Sequence, residues 1–269
     1  MDVKTCRCAQ PAYSIKLAVE GSMILGYWER RSKRYDRQRW TINRGYLEEF
    51  VKCGSFRKSD IVLDVGTGTG AVADAVAPLV KEVVAIDVSK SMLDIARGKG
   101  NSFNIDYEYA DARKLPFPSG AFDKITGRMV FHHIIEDVDK AIVECYRVLK
   151  SGGIIVFSEG VPPDERVKPR YDEIFRIKER RNTYLPEDIV SMLNFGGFKK
   201  IRCKTYWMRN MSVRNWLEDS CLKYESLEEI IRLHREGSSH FREVYNMRVA
   251  SDDVFIDWKF IIATGMKPY

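Results

Sequence analysis

Asp64, Gly66, Gly68 and Gly70 sit in the run Val62-Leu63-Asp64-Val65-Gly66-Thr67-Gly68-Thr69-Gly70, where an apolar stretch passes into three alternating glycines. Glycine lets the chain turn sharply there and brings backbone N–H groups close to a ligand with no Cβ in the way. Such a turn serves a nucleotide-like ligand at the end of a first strand. Gly66, Gly68 and Ala71 also fit the G-x-G-x-x-G/A spacing that binds a dinucleotide pyrophosphate. Three features separate the two readings. Asp64 would repel a pyrophosphate but welcome the ammonium of an amino-acid group. Gly70 keeps the loop open two residues longer than the dinucleotide turn needs. Two more acids then follow at strand ends: Asp87 closes Val83 to Asp87 and suits a ribose diol in either reading, and Asp111, in Tyr109-Ala110-Asp111-Ala112, is placed to accept from an exocyclic amine.

A second reactive group is Phe131-His132-His133-Ile134, directly after a fourth apolar strand, with Glu159 ending a fifth. In an open parallel sheet, ligands bind outside the carboxyl ends of the strands. Neighbouring strands lie about 4.8 Å apart, so an imidazole and a carboxylate on adjacent ends can pair. His132 is the candidate general base, with Glu159 orienting the ring and favouring its protonated form. His133 is the residue better placed to pack against the bound ligand.

These side chains need an α/β scaffold. The pattern predicts strands at Ile61 to Val65, Val83 to Asp87, Asp106 to Ala110, Phe122 to Met129 and Ile154 to Glu159, with helices between them. That alternation implies a parallel sheet with right-handed crossovers. Ser91 with Asp94 resembles a capping box opening the helix after the second strand. Pro162 and Pro163 stop the fifth strand, a charged helix or lid runs to Arg181, and Pro186 opens a helix ending at Gly196-Gly197. Ile201 to Met208 and Val254 to Gly265 read as the sixth and seventh strands. Before the sheet, Tyr27 to Phe50 reads as one or two amphipathic helices.

The ordered motifs Val62 to Gly70, Val83 to Met92, Ala110 to Pro116, Phe122 to Ile134 and Val148 to Gly153 resemble those of the class I S-adenosylmethionine-dependent methyltransferases. The likeness is to the small-molecule branch that includes the ubiquinone/menaquinone and natural-product enzymes, and it covers residues 45–205. It implies a Rossmann-like, seven-stranded, mostly parallel sheet whose last strand is antiparallel and inserted beside the fifth. It also implies S-adenosyl-L-methionine as cofactor. Asp64, Gly66, Thr67, Gly68 and Gly70 would then hold the methionine part and Asp87 the ribose hydroxyls. Val88 and Met92 would flank the adenine, and Asp111 with Ala112 would read its amine and ring edge. Arg128 and Met129 would lie beneath the methionine, with His133 against the cofactor. The activity implied is in-line methyl transfer to a small molecule. The alternatives are a tRNA or protein methyltransferase, or a cofactor-binding scaffold without catalysis.

The chain has 269 residues and a net charge of +6, enough for one large α/β domain with additions. Charge is uneven: Trp28 to Arg44 holds seven Lys/Arg against two acids, and Pro163 to Arg181 holds seven against five. In the resembling family both segments cover the substrate side, and arginine among aromatic rings suits an anionic, planar or aromatic substrate. Tyr35, Arg39, Trp40 and Arg170 are the candidate substrate residues. No basic-aromatic groove signals nucleic acid. No signal peptide or long apolar run is visible, so the expectation is a cytoplasmic chain without a membrane span. The six scattered cysteines read as reduced thiols, and Cys6-x-Cys8 has no matching partners for a metal site. The division expected is a helical cap over 1–50, a cofactor-binding domain over 51–209 and 251–269, and a helical insertion over 210–250. Trp216, Leu217, Leu222, Tyr224, Ile230, Ile231 and Leu233 form the apolar face of that insertion, and a capping box at Ser226 and Glu229 opens one of its helices. Its role as core packing, substrate lid or homodimer surface is left open.

Overall fold

The computed structural model of the chain describes residues 26–38, 40–100 and 102–269. Arg39, Cys6 and Cys8 therefore lie outside the described residues. A helix α1 is described over 26–35, followed by α2 (Arg44–Gly54), β1 (Ile61–Val65), α3 (Ala71–Val76), β2 (Glu82–Asp87), α4 (Lys90–Lys99), β3 (Ile105–Tyr109) and β4 (Phe122–Arg128). Next come α5 (Val138–Val148), β5 (Leu149–Val161), α6 (Lys168–Lys178), α7 (Pro186–Phe195) and β6 (Lys199–Ser212). The chain closes with α8 (Val213–Glu218), α9 (Tyr224–Arg235), α10 (Ser239–Val244), β7 (Arg248–Val249) and β8 (Val254–Met266).

The strands form one sheet in the order β3-β2-β1-β4-β5-β8-β6, with the short β7 paired to β8. The strands β1 to β5 pair in parallel, and β8 runs antiparallel to both β5 and β6. The order reverses after β1, and this is where an open α/β sheet leaves a crevice at its carboxyl edge. Alternate residues of the buried strands feed two cores. Val62, Val83, Ala85 and Val156 face α2, α3 and the late helices, whereas Leu63, Val84, Ile86, Ile155 and Phe157 face α5 and α7. Both sheet faces are thus covered, as near-continuous apolar strands require. Among the described residues, no helix is long and apolar enough to cross a membrane.

Several local expectations need correction. The N-cap of α4 is Ser89, whose Oγ accepts from Met92 N, while Ser91 only bonds to the Ser89 hydroxyl. Serine is favoured at a cap because its oxygen satisfies an otherwise unpaired N–H, and Ser89 is the serine placed just where the extended chain ends. Ser226 likewise lies inside α9, which begins at Tyr224 behind Lys223. Tyr224 itself is 71% exposed rather than part of the apolar face. β5 runs two residues past Glu159 to Val161, and β6 continues to Ser212 because its register on β8 resumes after a bulge. The three helices therefore occupy 213–244, and most of their apolar side chains enter the same core as α2 and α3.

Gly66, Gly68 and Gly70 all take left-handed conformations, with φ of 64°, 56° and 87°. A Cβ on Gly66 would stand 2.2 Å from Val130 Cγ2, whereas one on Gly68 would meet nothing within 4 Å. Gly68→Ala should therefore cost only the left-handed backbone penalty, about 1–2 kcal/mol. Gly66→Ala should add an overpacking cost of about 1–3 kcal/mol. Urea unfolding of both variants checks the ranking, and equal losses would refute it.

Candidate active site

The chemistry-bearing residues gather at the carboxyl ends of β1, β2, β4 and β5. Asp64, buried near the end of β1, accepts from Thr126 Oγ1 of β4 at 2.6 Å through Oδ1, while Oδ2 is buried without a partner among the described residues. Burial pushes its carboxyl up to about 6, so a ligand cation beside it would stabilise the charged form. Asp87, closing β2, accepts from Gly68 N and Ser89 N, each at 2.8 Å. One carboxylate thereby ties the glycine turn to the cap of α4. Thr67 Oγ1 and Arg128 Nη1 are also buried and unpaired among the described residues.

A cleft of about 950 Å³ is lined by Asp64, Gly66, Thr67, Gly68, Asp87, Val88, Met92, Asp111, Ala112, Arg128, Met129 and His133. All the sequence-predicted cofactor residues except Gly70 face this cleft. Gly70 instead caps α3, and a Cβ there would meet the Tyr107 hydroxyl at 3.0 Å. Asp111 is held by Arg113, with Nη2 at 2.7 Å and Nε at 3.1 Å from the carboxylate. The orphaned Asp64 and Arg128 atoms are a complementary pair for an amino-acid ammonium and carboxylate. Such a donor set fits the methionine end of S-adenosylmethionine, with the Asp87 carboxylate for a ribose diol and the apolar Val88 and Met92 for a base.

A second cavity of about 760 Å³ adjoins the first. Trp28, Tyr35, Met129 and His133 line both, so they form the shared wall. Met129 holds φ of 58° there, and its Sδ accepts from Gly160 N at 3.2 Å. A left-handed conformation is unusual for so large a side chain and marks a constrained position. His133 meets Trp28 edge to face at 4.6 Å and His132 at 3.9 Å between ring centroids.

His132 Nδ1 lies 2.5 Å from Glu159 Oε2, and Glu159 Oε1 accepts from Phe131 N at 2.9 Å and His132 N at 3.3 Å. The strand-end pairing expected for these two residues is present. Their protonation differs from expectation. Burial, then the nearby Arg181, holds the His132 imidazole well below its usual range, and burial raises the Glu159 carboxyl to about 7. In a dry site both charged forms are penalised, so the contact is a hydrogen bond to a neutral ring, not an ion pair with an imidazolium.

The cationic residues described in this cavity do not include Arg170, and Arg39 lies outside the described residues. Arg170 pairs with Glu173 on α6 and is absent from both linings. Instead Arg31, Lys178 and Arg181 surround Glu179, which accepts from Tyr27 at 2.6 Å, Arg31 at 3.0 Å and Lys178 at 2.6 Å. Arg181 stacks on Phe175 at 4.4 Å. Arg31 Nε is buried and unpaired among the described residues. Helical spacing is the signal that locates Arg31 and Lys178: Trp28, Arg31 and Tyr35 share one stripe of α1, and Tyr171, Ile174, Phe175 and Lys178 share one stripe of α6, with Arg170 off it. Tyr35 and Trp40 do line the cavity, 5.9 Å apart between rings.

His132, His133 and Glu179 carry ligand atoms within 4.8 Å of one another, a grouping with the donor types of a metal site. The adjoining Arg31, Lys178 and Arg181 oppose a dication there, and Glu179 already spends one oxygen on two of them.

The α1 cap is fastened over the cofactor cleft. Thr69 Oγ1 donates to Asp36 at 2.6 Å, and Lys99 pairs with Asp36 at 2.8 Å.

Residues 63–157 match the family model of a methyltransferase domain. The ubiquinone/menaquinone biosynthesis C-methyltransferase of Escherichia coli is 35% identical over 159 residues, which is 56% of this chain and 63% of that protein. The uncharacterized methyltransferase YcgJ of Bacillus subtilis is 36% identical over 121 residues, 44% of this chain and 47% of the relative. The chain thus spans about half to three fifths of the length of these curated relatives. The crystal structure of YcgJ superposes with a TM-score of 0.75 at 25% identity, covering 83% of this chain and 98% of that one. A phosphoethanolamine N-methyltransferase of Haemonchus contortus, solved with S-adenosyl-L-methionine, shares the fold with a TM-score of 0.57 at 20% identity, covering 87% and 56%. Taken with the glycine turn and the acids at the strand ends, these findings show that residues 63–157 form a methyltransferase domain, similar in sequence and fold to class I S-adenosylmethionine-dependent methyltransferases.

Proposed function

We propose that the protein methylates an anionic, aromatic small molecule bound in the cavity behind the Met129–His133 wall, with His132 as the general base. The observation that carries this reading is the joining of two chambers, one lined by orphaned groups suited to the cofactor and the other by aromatic rings and surplus cations. Bound S-adenosylmethionine supplies a methyl group on a sulfonium, which already has a good leaving group. What remains for the protein is to align a nucleophile with it, and alignment alone supplies about 7–11 kcal/mol in well-oriented systems.

Among the lining residues Arg31 and Arg181 carry positive charge against the carboxylate of Glu179, burial brings Lys178 down to about 7, and Glu159 behind His132 adds a second negative charge only as the pH passes through about 7. An anionic substrate balances that excess, and guanidinium groups bind carboxylate or phosphate and stack on rings. Trp28, Tyr35 and Trp40 offer rings on the side nearest the cofactor cleft. The Escherichia coli relative is named as a C-methyltransferase, and whether this chain methylates carbon, oxygen or nitrogen depends on where the substrate's nucleophile meets the wall.

His132 can take a proton only at Nε2. When Glu159 is ionised, Nδ1–H donates to it and Nε2 presents a lone pair. A protonated Glu159 donates to Nδ1 instead, which leaves the hydrogen on Nε2. The base-competent tautomer therefore forms as Glu159 loses its proton.

Three outcomes are expected. Wild-type kcat should rise as the pH passes through about 7, and Glu159→Gln should abolish this rise; identical profiles would remove the Glu159–His132 relay. Asp87→Ala should weaken S-adenosylhomocysteine binding about 10- to 100-fold in calorimetry, the loss of a charged hydrogen bond worth about 1.5–3 kcal/mol. Unchanged affinity would contradict the ribose assignment. In a methyl-transfer screen of aromatic acids against their neutral amides, Arg31→Met should raise KM at least about tenfold for the acids only. If no aromatic acid is methylated, or amides are preferred, the substrate reading is wrong.

A further inference from the structure

The end of the substrate cavity contributed by the late helices is built differently from the end near the wall. Trp216 of α8, His234 of α9 and Tyr245 just after α10 line it with Ile256 and Trp258 of β8. His234 is 3% exposed, and its Nδ1 lies 2.7 Å from the Ile230 carbonyl oxygen. A carbonyl can only accept, so Nδ1 carries the hydrogen. Burial, the largest effect on this ring, lowers it to about 4, and the imidazole is neutral at physiological pH. With Nδ1 protonated, Nε2 must be a bare lone pair. Among the described residues the hydrogen bond of this ring is the one made by Nδ1, and Nε2 is not one of the wholly inaccessible atoms. An unpaired acceptor in a largely apolar chamber is unfavourable, and a donor on the ligand relieves that cost.

We propose that His234 is a specificity-determining residue whose Nε2 accepts a hydrogen bond from a hydroxyl or N–H at the end of the substrate remote from the reacting atom. This rests on the reading of the cavity as the substrate site and refines it. The substrate is then bipolar, with an anionic group toward Arg31 and Arg181 and a neutral donor toward the late helices. The insertion between β6 and β8 is accordingly part of the recognition surface, because His234 of its longest helix and Tyr245 just after its third place hydrogen-bonding side chains at that end. A site built to receive a donor discriminates against the analogue that lacks it far more strongly than a purely apolar pocket does.

The test uses the full chain saturated with S-adenosylhomocysteine and titrated calorimetrically with paired probes: para-hydroxybenzoate against benzoate, and para-hydroxyphenylpropionate against phenylpropionate. At least one hydroxylated acid should bind about tenfold or more tightly than its partner. His234→Phe should erase that preference, and His234→Gln, whose amide keeps both a donor and an acceptor, should restore part of it. S-adenosylhomocysteine affinity should be the same in all three proteins, which separates local recognition from a folding defect. Equal affinities within both pairs, no binding by any of the acids, or a preference that survives in His234→Phe would each overturn the proposal. Failure of S-adenosylhomocysteine itself to bind the wild type would instead remove the underlying methyltransferase reading, and this proposal with it.

Discussion

One carboxylate ties the cofactor end of the molecule together. Asp87 accepts from Gly68 N and from Ser89 N, so the left-handed glycine turn after β1 and the first turn of α4 share a single anchor. Charge-assisted hydrogen bonds of this kind are stronger and more directional than neutral ones. The turn has little freedom to move elsewhere, since Val130 fills the space a Cβ on Gly66 would need. Val130 itself leads into the turn bearing His132 and His133. The geometry of the cofactor cleft and that of the shared wall are therefore set by the same packing, at the edge where the strand order reverses.

From that anchor the site divides by polarity. Unpaired buried atoms of Asp64, Thr67 and Arg128 stand in the first chamber, and unpaired polar groups persist in a folded core only where something offsets their cost. The second chamber concentrates charge: Arg31, Lys178 and Glu179 are nearly inaccessible. Removing charges from water is costly unless they pair well, so a buried cluster with a positive surplus points to a ligand of opposite sign. Met129, held with positive φ between the chambers, is where backbone strain and proximity to both cavities coincide.

Much of the scaffold was legible in the residues. β1 was predicted at its observed bounds because Asp60 and Gly66 bracket Ile61 to Val65, apolar but for Asp64, and the proline pair after Val161 stops β5 as expected. Caps were harder to read, since serines at 89 and 91 compete and only the local φ and ψ choose between them. The residues expected to hold the cofactor were legible as a group because each acid lies at or near the carboxyl end of a strand, and all but Gly70 line one cleft. The cations that line the second cavity were not recovered by counting charges along the chain, which pointed to Arg170. Spacing would have found Lys178 and Arg31, each of which shares a helical stripe with aromatic residues. The protonation of the His132–Glu159 pair was beyond sequence, because it depends on Arg181 and on burial by segments distant in the chain.

The most direct test of this account is a crystal structure of the protein with S-adenosylhomocysteine and a hydroxylated aromatic acid. The account predicts the ligand sulfur at the wall formed by Met129 and His133, the ribose on Asp87, and the acid beyond the wall with its carboxylate toward Arg31 and Arg181. A sulfur atom directed away from that wall, or an acid seated outside the adjoining cavity, would contradict it.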